Sequence, residues 1–243
     1  MNSPIDDWQI CVQQDPFLLK KARFVPNLLQ WFTKNGRDLP WRQTRDPYKI
    51  LVSELMLQQT QVSRILEYYP RFLEKFPDFA ALAQASEKEV VKAWQGLGYY
   101  NRARNFHKLA IEIIQKYGGQ FPREKEVILT LPGIGEYTAG AILTFALGIR
   151  APIVDTNVIR VLSRIFLSPS DLRRFKTKGQ KEKVLWIISE ALLPQDQFWE
   201  FNQAIMDFGA IQCTASKPHC NKCPMRSICN YYETRSLTRY LKI

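Results

Sequence analysis

The chain is predicted to be all-α, and three observations in the sequence predict it. Apolar residues recur at three- and four-residue steps in one segment after another. Short breaks containing Pro or Gly part those segments. No stretch keeps the period-two alternation of a half-buried strand, so sheet is expected to be minor or absent. With 243 residues, 46% of them hydrophobic, the chain can bury a substantial core and is not disordered. It carries no internal repeat and no low-complexity tract.

Taken in order, Leu28, Leu29, Trp31 and Phe32 form the first apolar face. Asp46-Pro47 is a helix start, a capping carboxylate followed by a proline at the first helical position. After it Ile50, Leu51, Leu55, Met56 and Leu57 keep the helical period. Pro70 is expected to open another helix before Phe72, Leu73 and Phe76. Val90, Val91, Ala93 and Trp94 mark the next, and residues 103–117 a longer one stopped by Gly118-Gly119. The basic run 173–183 reads as a solvated helix face or loop, with a nucleic-acid contact as the secondary reading.

Leu131-Pro132-Gly133-Ile134-Gly135 separates two helical runs, 124–130 and 137–147. Gly133 and Gly135 allow positive φ and a tight hairpin. Thr138, Ala139, Gly140 and Ala141 are small enough for close helix packing. Amide groups at the start of the second helix would be free to bind an anion, and on a basic protein the natural anion is a nucleic-acid phosphate. A plain turn is the simpler alternative.

Lys and Arg exceed Asp and Glu by 34 to 23, a net charge of +11 that suits a polyanionic partner. Asp6, Asp7 and Trp8 stand where a signal peptide would need basic and apolar residues, and no apolar run reaches a membrane span. A cytoplasmic, nucleoid-associated location is the expectation. Four of the five cysteines, Cys213, Cys220, Cys223 and Cys229, fall in a 17-residue window with the spacing C-x6-C-x2-C-x5-C. Four thiolates fit a 4Fe-4S cluster. On spacing alone a zinc site stays open, with two disulfides less suited to a chain without an export signal. Cys11 lies far from the four and is read as a bystander.

Hairpin, cysteines and a series of short blocks together resemble the helix-hairpin-helix DNA glycosylases of the endonuclease III superfamily, over residues 28–229. The blocks are Leu39-Pro40-Trp41-Arg42, Asp46-Pro47-Tyr48, Ser53-Glu54, Met56-Leu57-Gln58-Gln59-Thr60, Gly96-Leu97-Gly98-Tyr99-Tyr100, Leu131-Pro132-Gly133, Tyr137-Thr138-Ala139-Gly140-Ala141, and Asp155 with Asn157. Within the superfamily the MutY-type adenine DNA glycosylases are the most similar. The resemblance implies a two-lobed molecule. A six-helix barrel with the hairpin would span residues 46–155. An iron–sulfur cluster domain would combine 1–45 with 156–243, and DNA would lie across the cleft between the lobes. It implies a monomer, with double-stranded DNA containing a mismatch as partner.

It further implies that the target nucleotide is flipped out and its N-glycosidic bond hydrolysed, as in base excision repair. By resemblance Glu54 protonates the leaving base, and burial among its apolar neighbours would raise its pKa. An exposed helix glutamate is the plainer alternative from the residue type alone. Asp155 would stabilise the developing sugar cation as a carboxylate or capture it covalently, and as an N-cap before Val158 it would stay charged. Asn157 would orient the pair. Tyr137 stands where strand-nicking relatives carry a lysine, and residues 131–147 contain none, which implies a monofunctional enzyme. Gln59 and Tyr99 match residues that wedge into the base stack, although core packing is expected for one of Tyr99 and Tyr100. Gly133, Gly135 and Lys217 would contact phosphates. His219 is a spare ligand candidate.

Two features depart from the adenine enzymes. Thr156 replaces their usual Gly, and their C-terminal domain, which helps recognise 8-oxoguanine, is expected to be lacking. Adenine opposite guanine or 8-oxoguanine is the expected substrate. Thymine or uracil opposite guanine is the alternative, and a non-catalytic, cluster-containing DNA-binding protein is the alternative outside enzymes.

Overall fold

The computed structural model describes residues 3–234. The described residues are helical with no strand, and they divide into two compact units. One is Asp38–Ile149; the other joins the flanking segments, up to Arg37 and from Arg150 onward.

The flanking unit begins with α1 (Pro4–Cys11) and α2 (Asp15–Asn35). It resumes with α10 (Thr156–Phe166), α11 (Pro169–Arg174), α12 (Lys178–Leu192) and α13 (Phe198–Asp207). The unit Asp38–Ile149 holds α3 (Pro47–Leu57), α4 (Val62–Lys75), α5 (Phe79–Gln84), α6 (Glu87–Ala93), α7 (Asn101–Tyr117), α8 (Lys125–Ile128) and α9 (Glu136–Phe145).

Two helices of the Asp38–Ile149 unit are apolar on nearly every side. In α3 every residue from Ile50 to Met56 is buried, and in α9 every residue from Thr138 to Phe145. A helix without a polar face belongs inside, and α3 packs against both α4 and α9. Asp46 caps α3, its Oδ1 accepting from the Tyr48 amide at 2.8 Å, with Pro47 at the first turn. Pro70 does not start a helix; it lies within α4, which begins eight residues earlier at Val62. The amphipathic spacing of Ile65, Tyr69 and Phe72 carries that helix through the proline. The long seventh helix stops at Gly118, which takes the left-handed conformation at φ 60°.

The flanking unit packs Phe24, Leu28, Val158, Leu162, Ile165, Ile188, Phe201 and Phe208 into one core. Phe166 takes the edge of Phe24 at 5.2 Å between centroids and lies 5.5 Å from Phe17. Asp207 is fully buried there. It accepts from the Arg37 amide at 2.9 Å and from its Nε at 2.8 Å, which compensates the buried charge.

Candidate active site

Burial places Glu54 in the middle of α3, with only 5% of its surface exposed. Such a carboxyl must be hydrogen-bonded to be tolerated. Its Oε2 accepts from the Tyr137 hydroxyl at 2.8 Å, 83 residues away in sequence. The pairing follows from the packing of α3 on α9, because Tyr137 stands in the first turn of the latter. Within this unit the structure therefore brings together two of the predicted site residues.

The hairpin between α8 and α9 needs the conformational freedom of one of its two glycines. Only Gly133 uses positive φ, at 79°, and a Cβ there would come within 2.8 Å of the Asn105 Cβ. Gly135 is extended at φ −111°, serving as the N-cap of α9 with no side-chain cap bond. The amide groups of that helix start thus lack a side-chain acceptor from the cap position, the arrangement an anion would meet.

Gln59 and Tyr99 both hold left-handed backbone, at φ 58° and 45°. They are the non-glycine residues that do so among the described residues, and for a tyrosine the conformation is an outlier. Tyr99 is 61% exposed and Tyr100 38%, so neither packs into the core as one of them was expected to do. Gln58, Gln59, Tyr99, Tyr100 and Arg104 line a common hollow of about 430 Å³. Strain that persists on exposed residues is the pattern of a functional tip.

In the flanking unit Asp155 caps α10. Its Oδ1 accepts from the Val158 amide at 2.7 Å, and its Oδ2 from the Asn157 side chain at 3.0 Å. Burial nevertheless pushes its pKa up against these bonds and against the pull of Arg160. The expectation of a simple capped, charged carboxylate thus meets an opposing effect that outweighs the cap. Asn157 is itself held, its Oδ1 accepting from Arg160 at 2.8 Å. Arg160 also donates to the Gly209 carbonyl at 2.6 Å and to the Cys213 carbonyl at 2.8 Å. Asp155 and the cysteine segment are therefore connected through two side chains.

The family model for HhH-GPD superfamily base excision DNA repair proteins matches residues 52–188, a stretch that includes Glu54, the hairpin and Asp155. The chain belongs to the HhH-GPD superfamily. The adenine DNA glycosylase of Buchnera aphidicola subsp. Baizongia pistaciae is 40% identical over 88% of the chain, and the chain spans 60% of that relative's length. The thymine/uracil-DNA glycosylase of Methanothermobacter thermautotrophicus is 37% identical over 88% of the chain and 95% of its own. Among solved structures, a thermostable thymine-DNA glycosylase superposes with a TM-score of 0.83 at 37% identity. That match covers 90% of this chain and all of the other.

The HhH-GPD chain carries its four cysteines on a loop anchored to the flanking unit. A π-helical turn, Phe208–Gln212, leads into Cys213, and the buried Met225 and Ile228 pin the stretch between Cys223 and Cys229. Arg164 donates to the Cys213 Sγ at 3.4 Å and to the Thr214 carbonyl at 2.7 Å. All four thiols are free of disulfides. Burial pushes Cys223 up to about 12, and the other three cysteines, as anions, push it further the same way. Cys229 is raised by burial and by Cys213 and Cys220. The Met225 amide bonds Cys223, and the Tyr231 and Tyr232 amides bond Cys229, each favouring the thiolate. Among the described residues no group of three or more His, Cys, Asp or Glu side chains is set around a single metal ion. The donor set fits a multi-iron group by its chemistry: four soft ligands, mutually repelling as anions, with amide donors in place for thiolates. Lys217 and His219 are exposed on the loop between the first two cysteines.

Sequence reasoning missed Arg102, Arg160 and Arg164. The last two share one face of α10 at i, i+4, which was legible. Nothing local in the sequence singles out Arg102. Cys11 is half-buried in the last turn of α1.

Proposed function

We propose that this chain is a monofunctional DNA N-glycosylase of base excision repair that releases adenine mispaired with guanine or 8-oxoguanine. The observation that carries the reading is the Tyr137–Glu54 hydrogen bond inside an apolar helix pair, at a position where lysine would be needed for strand cleavage. A carboxylic acid so enclosed is suited to give its proton to a leaving base.

In the proposed reaction the C1′–N bond breaks and its electron pair goes to the base nitrogen, which takes the proton of Glu54. Water adds to C1′ and gives up a proton to the Glu54 carboxylate, restoring the acid. Asp155 faces the positive charge of the oxocarbenium-like sugar, and Asn157 holds it for that role. Tyr137 orients Glu54 and supplies no amine, so no Schiff base forms. Gln59 and Tyr99 wedge the duplex open while Gly133, Gly135 and Lys217 grip phosphate. Cys213, Cys220, Cys223 and Cys229 would hold a 4Fe-4S cluster, and its ligation would tie together the loop that carries Lys217.

The adenine reading is supported by the Met-Leu-Gln-Gln-Thr and Gly-Leu-Gly-Tyr-Tyr blocks and by the 40% identity to an adenine enzyme. Thymine or uracil opposite guanine is the second reading, favoured by the superposition at TM-score 0.83. Single-turnover release from A·G, A·8-oxoG, T·G and U·G duplexes tests both. Adenine release is expected. Release of pyrimidine alone supports the second reading, and release from none of the four overturns the enzyme.

A further inference from the structure

Arg102 stands in the first turn of α7, where a cation opposes its own helix dipole. Its side chain turns away to two neighbouring loops. One terminal nitrogen, Nη1, donates to the carbonyls of Leu55 at 2.6 Å, Met56 at 3.0 Å and Gln58 at 2.7 Å. These are the last carbonyls of α3 and its cap, the groups a helix C-terminus leaves unpaired. The other, Nη2, donates to the carbonyls of Leu97 and Gly98, both at 3.1 Å, and to the Thr60 hydroxyl at 3.4 Å. The guanidinium also lies 5.5 Å from the ring centroid of Tyr99. One planar fork thus closes on five backbone carbonyls from two loops. Those loops carry Gln59 and Tyr99, the two non-glycine residues held in left-handed backbone among the described residues. Local sequence does not favour that conformation for either type, so contacts from outside must hold it.

We propose that Arg102 is a positioning residue for base eversion: it clamps the two loops so that Gln59 and Tyr99 act as one preformed wedge. The proposal rests on the glycosylase reading above. A wedge ordered only on contact with DNA loses part of its interaction free energy to that ordering, and a clamped one does not. Lysine cannot replace the clamp, because a point ammonium has three donors and no fork.

The test compares native protein with Arg102→Lys in single-turnover base release. One substrate is a mismatched duplex; the other holds the same target base in an unpaired bubble. A 2-aminopurine beside the target reports unstacking. The clamp predicts a loss of about tenfold or more on the duplex, with the 2-aminopurine rise abolished, and a loss within about threefold on the bubble. Equal losses on both substrates, or undiminished release from the duplex, would overturn it. Should native protein release base from neither substrate, the glycosylase reading fails instead. A second measurement needs no variant: in the native protein, amides of residues 59–61 and 97–99 should exchange hydrogen with one shared opening rate. Independent opening of the two loops would overturn the clamp as well.

Discussion

Within residues 38–149 the carboxyl group of Glu54 is enclosed in the middle of a helix, whereas in the flanking unit that of Asp155 sits on a helix N-terminus. Glu54 accepts from a phenol that can follow it through a proton transfer. Asp155 accepts from a fixed amide and from an amide side chain that an arginine holds in turn. The first setting suits a group that gives up and regains a proton. The second suits an acceptor that stays in place. In the proposed reaction the two carboxylates would take two roles from their surroundings rather than from their residue type.

The largest expected effect follows from removing the proton. Glu54→Gln keeps the volume and a hydrogen-bonding partner for Tyr137, so the fold and duplex affinity should survive while single-turnover base release falls by about 10²–10⁴-fold. A variant that retained release within threefold would move the acid elsewhere.

Asp155→Asn sharpens the comparison, because activity and stability should part. Base release should fall by about 10²–10³-fold, as when a charge-stabilising group is lost. The helix cap is retained, since Asn caps as well as Asp. Burial raises the Asp155 pKa, so folding disfavours the carboxylate. That stability cost is absent below the unfolded pKa of about 3.9, grows as pH rises through it, and is complete above the folded value. The variant should therefore melt at or above the native temperature at pH 7, with its advantage vanishing below about pH 4. Thermal melts across pH check this, and a variant less stable at pH 7 would contradict it.

These two substitutions also mark what was legible in the sequence. The all-helical fold and the hairpin follow from patterns read within one segment, because helical period, cap residues and apolar runs are local, whereas the burial of Glu54 came with the family resemblance, residue type alone favouring an exposed glutamate. The capping role of Asp155 was equally local. The misread features are tertiary. Proline in isolation favours helix N-termini, but at Pro70 the amphipathic face on either side overrides that preference. An aromatic pair such as Tyr99-Tyr100 usually packs at least one ring, but both are exposed here, and the left-handed backbone of Tyr99 has no signature in a tyrosine. Arg102 has no local signature because its partners are chiefly backbone carbonyls, which every residue has.

A smaller effect separates the Glu54 carboxyl from its phenol. Tyr137→Phe removes one hydrogen bond, worth about 1–2 kcal/mol, or roughly 5- to 30-fold in rate. Release should fall by that amount, and the melting temperature should drop by about 2–8 °C because the buried carboxyl loses a donor. The smallest effect lies on the cysteine loop. Lys217→Ala should weaken binding to matched and mismatched duplexes alike and reduce the slope of log affinity against log salt by about 1. A loss confined to one mismatch would give Lys217 a part in base choice.

The most direct measurement asks whether residue 137 faces the sugar of the flipped nucleotide. Tyr137→Lys puts an amine next to Glu54, and borohydride added during the reaction would reduce any Schiff base to a stable protein–DNA adduct. The account predicts a trapped species with the variant and none with the native protein. A folded variant that still releases base yet traps nothing would contradict it.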